Sequence, residues 1–537
     1  MWRPPERIRY AAQTGRIPSR QEAERSRLFS PLEEGRLSLT QCTWVPAMVP
    51  WRATEDGFVS DAVVAWYERL ASGRPGAIVV EATGIRDVPS GPLLRIGHDR
   101  YVEGLKRLVD VVKRASGGQT RLFIQIIDFL AIRRRPEPSK FFERFLQVTD
   151  AHRCAVGAGG ASEAEVRARL FALGETGWKQ ALTAREHESL MQGYRERVTD
   201  VELPHIRDLP QSLPPLFAAA ARRAATAGFD GVELHYAHAY TMASFISRMN
   251  TRMDGYGGTL ERRLRLPLEV FAAVRASAPS DFVVGCRFLA EECIEDGNRL
   301  DETPAIGVAF ASAGMDFVST SRGGKFEDAA RPAVNAAAYP YTGQSGYECM
   351  PQFISDARGP FGRNAAPTRA IRNAIREAGF RTPVVCTGGV HNFEMAESWL
   401  AEGVCDIVGA ARQSLADPDW TLKISRGRGA EVRTCEFTNY CEALDQKHKV
   451  VTCQLWDKVD LDAAGALRST DGKRRLVAPD WPAASKLRAR WVRLAALVRE
   501  TDLRRLKRPV KRIRLPDGFR ERKRRRKRSN ARSDRSY

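Results

Sequence analysis

Apolar residues along this chain come in short continuous runs, and a stretch with helical spacing follows most of them. Runs without polar alternation are typical of parallel strands that are buried on both faces, whereas a half-exposed strand alternates apolar and polar positions. Eight such runs occur: CTWVPAM (42–48), GAIVVEA (76–82), RLFIQII (121–127), DGVELH (230–235), FVVGCRF (282–288), DFVSTS (316–321), PVVCTGG (383–389) and CDIVGAAR (405–412). The pattern therefore predicts buried parallel strands.

The stretches between these runs carry apolar residues three and four positions apart, which is helical spacing. The clearest are DAVVAWYERLAS (61–72), YVEGLKRLVDVVKRA (101–115), PPLFAAAARRAATAG (214–228), RLPLEVFAAVRASA (265–278) and NFEMAESWLAEG (392–403). Strands that alternate with helices predict an α/β fold, and eight repeats predict a closed (β/α)8 TIM barrel. An open, doubly wound sheet is the alternative. The count of strands and the lack of a strand–GxGxxG–helix unit favour the barrel.

One connection is far longer than an ordinary loop. Residues 130–212 follow the third strand, and an insertion at that end of a barrel strand lies at the catalytic face, where it forms a lid or a subdomain. We expect the barrel to span residues 28–425, after an N-terminal extension of residues 1–27. Residues 426–482 would form a cysteine-containing segment, and residues 483–537 a basic extension.

The net charge of +20 is concentrated at the carboxyl-terminal end of the chain. Lys486–Tyr537 contains 22 Lys and Arg against 5 Asp and Glu, so this segment accounts for +17. Its first part has the pattern of a basic amphipathic helix, and its last part has that of a disordered tail. Such a tail is either a solvated extension or a weak binder of nucleic acid or of an anionic membrane surface. The rest of the chain is nearly neutral, so its charge gives no reason to expect a nucleic-acid-binding body.

The composition argues against an exported or membrane-spanning chain. No apolar run approaches the roughly 18 to 20 residues that a transmembrane helix requires, and the first residues lack the apolar middle of a secretory signal. Ten cysteines spread over 537 residues do not form the dense framework of a small disulfide-bonded domain. We therefore expect a cytoplasmic protein with reduced thiols.

The densest group of chemically active residues lies at the end of the fourth strand, in GFDGVELHYAHAY (228–240). Residues at the carboxyl ends of barrel strands face the active site, so we expect His235 and His238 at the barrel mouth. A metal site would need further ligands, and no neighbouring H-x-x-E pattern or cysteine pair supplies them. We expect no metal here. A hydrogen-bonded histidine pair without chemistry is the structural alternative.

The region around these histidines resembles the signature of the Old Yellow Enzyme family of FMN-dependent ene-reductases. The matching stretch is GFDGVELHYAHAYTMASFISRMNTRMDGYGGTLERRLRLPLEV (228–270). The matching residues are His235, His238, Tyr240, Asn250, Arg252, Asp254, Tyr256, Gly257, Gly258, Glu261 and Arg263. The resemblance extends from residue 28 to residue 420.

The resemblance implies an oxidoreductase that carries hydride from NADH or NADPH through FMN to the β-carbon of an α,β-unsaturated carbonyl compound, an enone or enoyl substrate. His235 and His238 would donate hydrogen bonds to the carbonyl oxygen, which gains negative charge as hydride arrives. Tyr240 would donate a proton to the α-carbon. The nicotinamide and the substrate would use one flavin face in turn, so no separate dinucleotide-binding domain is needed.

The resemblance also implies cofactor and substrate contacts at the ends of other strands. Residues expected at the flavin ring are Met48, Val49, Ala82, Gln125 and Arg287, and residues expected at the FMN phosphate are Gly388, Gly389, Ala411 and Arg412. Backbone amides at a loop or helix start, together with an arginine, suit a phosphate. Trp51 is expected to contact the substrate.

The chain departs from the family's pattern at three places. Val49 stands where the family usually has a threonine or cysteine that tunes the flavin, and Ala411 stands where it has a glycine. In QIIDFLAIRRR (125–135), the family's Gln-Leu-Trp-His-x-Gly-Arg run loses its tryptophan and its histidine. The arginines that end this run are either a surface run or a means of steering an anionic substrate or a nicotinamide phosphate. The substrate preference of known family members is therefore not transferred to this chain.

Cys435, Cys441 and Cys453 support a further alternative. Relatives similar to 2,4-dienoyl-CoA reductase bind a four-iron cluster through four cysteines. Here the spacing from Cys441 to Cys453 is kept, but no CxxC precedes it. The alternative functions are thus an iron–sulfur flavoenzyme of that type, a flavin dehydrogenase, and, from another class, a basic RNA- or membrane-associated scaffold with an inactive barrel. A homo-oligomeric state is left open.

Overall fold

The computed structural model describes residues 13–87, 91–294, 296–323, 331–337, 360–445, 447–457 and 466–481. The basic extension predicted at residues 483–537 lies outside these ranges. The chain through Pro479 forms one compact unit, and this unit includes most of the predicted cysteine-containing segment. Among the described helices, none combines the length and the apolarity that crossing a bilayer requires.

Eight parallel strands close into a barrel, which confirms the predicted (β/α)8 fold. A short antiparallel hairpin of β1 (Leu32–Glu34) and β2 (Leu37–Leu39) precedes them. The barrel strands are β3 (Thr43–Val45), β4 (Ala77–Gly84), β5 (Arg121–Ile127), β6 (Gly231–Tyr236), β7 (Val283–Glu291), β8 (Val318–Arg322), β9 (Val384–Thr387) and β10 (Ile407–Gly409). Each strand pairs with the next one along the chain, and β10 also pairs with β3, which closes the barrel.

The hairpin and a group of aromatic rings fill the amino-terminal end of the barrel. Leu37 and Leu39 belong to the same buried cluster as Trp44, Phe123 and Phe317. The Trp44 ring lies 5.2 Å from Phe123 and 5.0 Å from Phe317 between ring centroids. Aromatic pairs at such distances add to the free energy gained by burial. Side chains therefore fill the barrel interior at this end.

Helices surround the strands and also form the insertion and the carboxyl-terminal segment. Their bounds are α1 (Arg20–Glu24), α2 (Asp61–Ala71), α3 (Val102–Ser116), α4 (Pro138–Lys140), α5 (Asp150–Ala155), α6 (Glu163–Ala172), α7 (Gly174–Ala181), α8 (Ala184–Gln192), α9 (Pro204–Arg207), α10 (Leu209–Ala227), α11 (Thr241–Ile246), α12 (Leu260–Ser277), α13 (Thr303–Ser312), α14 (Ala365–Glu377), α15 (Phe393–Ala401), α16 (Arg412–Ala416), α17 (Trp420–Ser425) and α18 (Tyr440–Asp445). The helices α2, α3, α10 and α12 pack against one another in that order around the barrel.

Helix α10 begins earlier than its sequence pattern predicts. The pattern places the start near Pro214, but the helix begins at Leu209 and contains Pro214 inside it. A proline inside a helix removes a backbone hydrogen bond. Leu209, Leu213 and Phe217 lie four positions apart and are all buried. The free energy gained by burying this apolar face exceeds the free energy lost with the hydrogen bonds. A prediction that takes Pro214 as the start of the helix does not include this gain.

The insertion after β5 has an apolar core of its own and is tied to the barrel. Phe142, Trp178 and Leu190 belong to this core. The amide of Glu196 donates to the carbonyl oxygen of Ala131 at 2.9 Å, which pairs the end of the insertion with its start. The buried Arg252, one of the signature residues, donates to the carbonyl oxygens of Val198 at 2.8 Å and Ile206 at 3.0 Å. One function of the signature is thus to hold the insertion in place.

The segment that follows α17 returns to the barrel and is anchored by buried side chains. Arg69 of α2 forms an ion pair with Asp419 and donates to the carbonyl oxygens of Ala478 and Pro479. Arg52 donates to the carbonyl oxygen of Val451 at 2.9 Å. The Trp456 indole donates to the carbonyl oxygen of Leu415 at 2.9 Å. The carboxyl-terminal segment is therefore part of the barrel's packing.

Replacing Arg69 with methionine is expected to lower the free energy of unfolding by about 3–5 kcal/mol, because Asp419 would keep a buried charge after losing its arginine partner. Both side chains of the pair are less than one-tenth exposed, at 7% and 5%. Urea unfolding followed by tryptophan fluorescence measures the change. Arg107→Met is the control, since the side chains of Arg107 and its partner Asp61 are 54% and 89% exposed, and such pairs contribute about 0–1 kcal/mol. Equal effects of the two substitutions would contradict the anchoring role.

Candidate active site

The polar side chains at the barrel mouth come from the carboxyl ends of neighbouring strands. His235 of β6 lies directly opposite Arg287 of β7 in the strand register. One layer below, Gln125 of β5 lies opposite Glu233 of β6. Gln125, Glu233 and His235 are buried. Parallel register thus places two polar layers at the mouth, as expected of barrel strands.

The loop after β6 turns His238 and Tyr240 towards His235. His238 and Ala239 have φ angles of 56° and 62°, a left-handed conformation that non-glycine residues seldom adopt. The ring centroids of His235 and His238 are 5.3 Å apart, and those of His235 and Tyr240 are 5.4 Å apart. The three residues expected to be catalytic therefore lie in contact. Strain of this kind is often found at functional sites.

Ser321 at the end of β8 links the histidine pair to Arg287. His238 Nε2 and Ser321 Oγ are 2.7 Å apart, and Arg287 Nη2 donates to the same hydroxyl oxygen at 3.1 Å. The serine thus holds the His238 ring and connects it to Arg287. Sequence reasoning missed Ser321, although a hydroxyl that ends a buried apolar strand is a usable signal.

Burial keeps both imidazoles neutral. Burial first, and then the positive charge of Arg287, lowers the pKa of His235 to about 3. The same two causes hold the pKa of His238 well below its ordinary value. Burial and the carboxylate of Asp445 raise the pKa of Tyr240, so its phenol stays protonated. At neutral pH the group consists of two neutral N–H donors and one phenolic O–H donor.

Glu233 is a second residue that sequence reasoning missed. The Gln125 amide donates to Glu233 Oε1 at 2.6 Å. Burial raises the pKa of Glu233 to about 7, against the opposing effects of Arg287 and Gln125. An acidic residue in an otherwise apolar buried strand is the signal that could have found it. Glu233 orients Gln125, the residue expected at the flavin ring.

The remaining residues expected at the flavin ring lie at the same end of the barrel. The pairing of β4 with β5 shifts register between Val80 and Thr83, and Glu81 in this bulge bonds with the Tyr67 hydroxyl of α2 at 2.8 Å. Ala82 follows it and is buried. Met48 and Val49 follow β3, are half-buried and pack on the main core. No hydroxyl or thiol comes from position 49.

The residues expected at the FMN phosphate follow β9 and β10. Gly388 and Gly389 come directly after β9, and Gly389 has a φ of 76°. Ala411 precedes α16, which begins at Arg412. Arg412 Nη1 donates to Asn439 Oδ1 at 3.0 Å, and the guanidinium lies 4.6 Å from the centroid of the Phe437 ring. The carboxyl-terminal segment thus holds the side chain of Arg412.

The same segment also reaches Trp51, the residue expected at the substrate. The Trp51 indole donates to Asp445 Oδ1 at 2.7 Å, and its ring stacks on His448 at 4.2 Å between centroids. The amide of Val451 donates to the carbonyl oxygen of Pro50 at 3.0 Å. Residues 435–453 therefore contact both ends of the predicted site. This segment has no regular apolar period, so its position could not be predicted from its residues.

A cavity of about 220 Å³ adjoins the loop after β6. Its walls include Tyr240, and Val198 and Ile132 of the insertion form part of the opposite side. A larger cavity of about 390 Å³ lies at the other end of the barrel, between Arg36, Lys113 and Asp281. Of these two cavities, the smaller one borders the residues expected to be catalytic.

The three cysteines of the carboxyl-terminal segment differ in exposure: Cys435 is buried, and Cys441 and Cys453 are half-buried. Among the described residues, no group of three or more His, Cys, Asp or Glu side chains is arranged to hold a metal ion. Burial raises the pKa of Cys435 and Cys441, and it raises that of Cys453 to about 12.

Comparison with known proteins identifies related chains. The family model described as NADH:flavin oxidoreductase / NADH oxidase matches residues 27–431. The chain is 28% identical over 417 residues to an NADH oxidase of Thermoanaerobacter brockii, a match that covers 77% of this chain and 52% of that protein. It is 25% identical over 461 residues to a bilirubin reductase of Mediterraneibacter gnavus, with 84% and 60% covered. It thus spans about half the length of the curated relatives it matches.

A solved structure of 2-naphthoyl-CoA reductase in complex with 2-naphthoyl-CoA has the same fold. The TM-score is 0.57 at 19% sequence identity, and the match covers 81% of this chain and 57% of that chain.

The residues at the mouth fit FMN, which carries a phosphate at one end and a ring with a polar edge at the other. Thr387 Oγ1, next to Gly388, and Glu233 Oε2, next to Gln125, are buried polar atoms with no hydrogen-bond partner among the described residues. Buried polar atoms are rarely left without a partner. Gly388, Gly389 and Arg412 would hold the phosphate, and Gln125 and Arg287 would hold the polar edge of the ring.

Gly389→Ala is expected to raise the dissociation constant of FMN about tenfold or more. A Cβ at this position would lie 2.2 Å from the carbonyl oxygen of Pro360, so the loop after β9 must move. The left-handed backbone adds about 1–2 kcal/mol of strain. Quenching of FMN fluorescence on titration with apoprotein measures the affinity.

Gly379→Ala is the matched control, because Gly379 has a φ of 85° but no atom lies within 4 Å of the place that a Cβ would take. This substitution carries the same kind of backbone strain without the clash. We expect lower stability and unchanged FMN affinity. Equal FMN affinities of the two variants would argue against a phosphate site at Gly389.

Proposed function

The chain belongs to the NADH:flavin oxidoreductase / NADH oxidase family, and we propose that it acts as an FMN-dependent ene-reductase. FMN is the cofactor of this family, and NADH or NADPH is the hydride donor. The substrate would be an α,β-unsaturated carbonyl compound. The contact of the His235 ring with both His238 and Tyr240 carries this proposal. The similarity to a bilirubin reductase supports a reductive role.

The histidine pair suits the carbonyl oxygen of such a substrate. That oxygen gains negative charge as hydride reaches the β-carbon, and donors already aimed at it lower the barrier. His235 and His238 are neutral because burial lowers the pKa of both. A neutral imidazole with one N–H can donate to the oxygen at neutral pH without first taking up a proton. Ser321 holds the His238 ring and is itself bound by Arg287.

Tyr240 suits the role of the proton donor. Its ring lies against His235, so an oxygen held by the histidines would bring the neighbouring carbon close to the phenol. Burial and Asp445 raise the pKa of Tyr240, which keeps the proton on the phenol until it is needed. General acids placed in this way speed reactions by about 10²–10⁴-fold.

The other polar residues suit the cofactor. When bound, FMN supplies a hydride that it receives from NADH or NADPH. Arg287 places a positive charge at the mouth, and Gln125 is held in one orientation by Glu233. The insertion and the carboxyl-terminal segment both contact residues at the mouth, the insertion beside Tyr240 and the segment at Trp51 and Arg412.

Tyr240→Phe is expected to slow alkene reduction by about 10²–10⁴-fold, because the substitution removes the acidic proton. Reduction of the enzyme-bound flavin by NADH should keep its rate, since that step takes no proton from the phenol. Stopped-flow absorbance with the FMN-loaded enzyme and cyclohexenone measures the two steps separately.

The control for this experiment is Tyr194→Phe. Tyr194 lies in the insertion, where its hydroxyl contacts Glu196 at 3.4 Å. Loss of this phenol should change neither step. If Tyr240→Phe reduced cyclohexenone as fast as the native enzyme, Tyr240 would not be the proton donor and the ene-reductase proposal would lose its main support.

A further inference from the structure

We propose that Asp128 is a positioning residue for the proton donor, because it forms a buried clamp with Arg86 and Thr241 that sets the place of Tyr240. The inference rests on the proposed function, in which Tyr240 donates the proton. Asp128 occupies the position at which the family's histidine is lost in QIIDFLAIRRR. The aspartate that replaces the family's histidine would thus position Tyr240.

The first half of the clamp acts on the residue that follows Tyr240. Asp128 comes directly after β5, and its side chain has no exposed surface. The Thr241 hydroxyl donates to Asp128 Oδ2 at 2.6 Å and to the backbone oxygen of Asp128 at 3.1 Å. Thr241 is the first residue of α11 and is itself buried. The carboxylate therefore fixes the backbone next to Tyr240.

The second half of the clamp acts on the ring of Tyr240. Phe129 follows Asp128, and its ring packs edge-to-face against Tyr240 with 5.4 Å between centroids. The Arg86 guanidinium binds both Asp128 and Phe129. Its Nε lies 2.6 Å from Asp128 Oδ1, and its Nη2 donates to the carbonyl oxygen of Phe129. Arg86 and Asp128 thus hold Phe129 in its edge-to-face contact with the phenol ring.

The clamp joins the ends of three successive strands. Arg86 follows β4, Asp128 follows β5 and Thr241 follows β6. A buried ion pair is a weak source of stability, because removing two charges from water costs about as much as their attraction returns. The role of the Arg86–Asp128 ion pair here is geometric. Its directional contacts hold the three loops in one arrangement, whereas a purely apolar contact would allow several.

The histidine pair does not depend on this clamp. His235 lies within β6, and His238 is held by Ser321 of β8. Loosening the clamp should therefore move the phenol and leave the oxyanion donors in place. Misplacement of a reacting group by about 1 Å can cost about 100-fold in rate, so the proton step should be the one affected.

The test compares Thr241→Val, which removes the hydroxyl while keeping the side chain's shape, with Thr241→Ser, which keeps the hydroxyl. In the FMN-loaded enzyme, we expect Thr241→Val to slow cyclohexenone reduction about tenfold or more and Thr241→Ser to stay close to the native rate. Reduction of the bound flavin by NADH and the affinity for phenol should be unchanged in both. Thr226→Val, which loses an exposed hydroxyl bonded to the Arg222 carbonyl oxygen of α10, is the control.

A double substitution separates positioning from general disruption. Tyr240→Phe combined with Thr241→Val should be no slower in alkene reduction than Tyr240→Phe alone, because the clamp acts only through the phenol. Asp128→Asn provides a second route to the same loss, since it removes the charge and keeps the size. It should slow alkene reduction and spare flavin reduction, as Thr241→Val does.

The proposal would be overturned by equal slowing of both half-reactions in Thr241→Val, by a loss in Thr241→Ser as large as that in Thr241→Val, or by losses that multiply in the double variant. A slow Tyr240→Phe together with a native-like Thr241→Val would overturn the clamp and leave the proposed function intact. A native-like Tyr240→Phe would overturn the proposed function, and the clamp with it.

Discussion

Closure of eight parallel strands is the constraint on which the rest of this structure depends. In a closed parallel barrel every strand points the same way, so the residues at all eight carboxyl ends face one mouth. Gln125, His235 and Arg287 lie far apart along the chain, and they meet at the mouth because each stands near the end of its strand. The aromatic rings at the other end fill the barrel interior, so the polar side chains of the interior gather at the mouth.

Burial at the mouth then determines the chemistry. The same loss of water that lowers the pKa of His235 raises those of Glu233 and Tyr240. Each group is thereby driven towards its neutral form, which can donate a hydrogen bond or a proton. Arg287 remains the charged residue among them, and its charge reinforces the neutral state of both histidines. Asp445 of the carboxyl-terminal segment also raises the pKa of Tyr240, so this segment contributes to the chemistry of the mouth.

The sequence was enough to predict the strands and the grouping of His235 and Tyr240, because continuous apolar runs and short spacing are local properties. Ser321 and Glu233 carry a signal in the sequence, but their partners could not be predicted, because these depend on strand register. The contact of Asp445 with Trp51 depends on a segment that returns to the barrel. Ser321 acts through a partner 83 positions away. The early start of α10 was missed for a related reason: its apolar face gains more from burial than its prolines lose in hydrogen bonds.

Backbone strain and the departures from the family pattern meet at the same place. Left-handed φ angles occur at Trp51, His238 and Ala239 on the barrel side of the mouth. They also occur at Phe437 and His448 in the carboxyl-terminal segment. Such conformations persist only where several contacts determine them, and Trp51 has two such contacts, with Asp445 and with His448. The residues expected to be catalytic match the family's pattern in this chain, whereas neighbouring positions such as Val49 and Asp128 depart from it. A change in these neighbouring residues alters how a substrate is positioned without altering the bonds that are made or broken. We therefore expect the specificity of this chain to arise at these neighbouring residues.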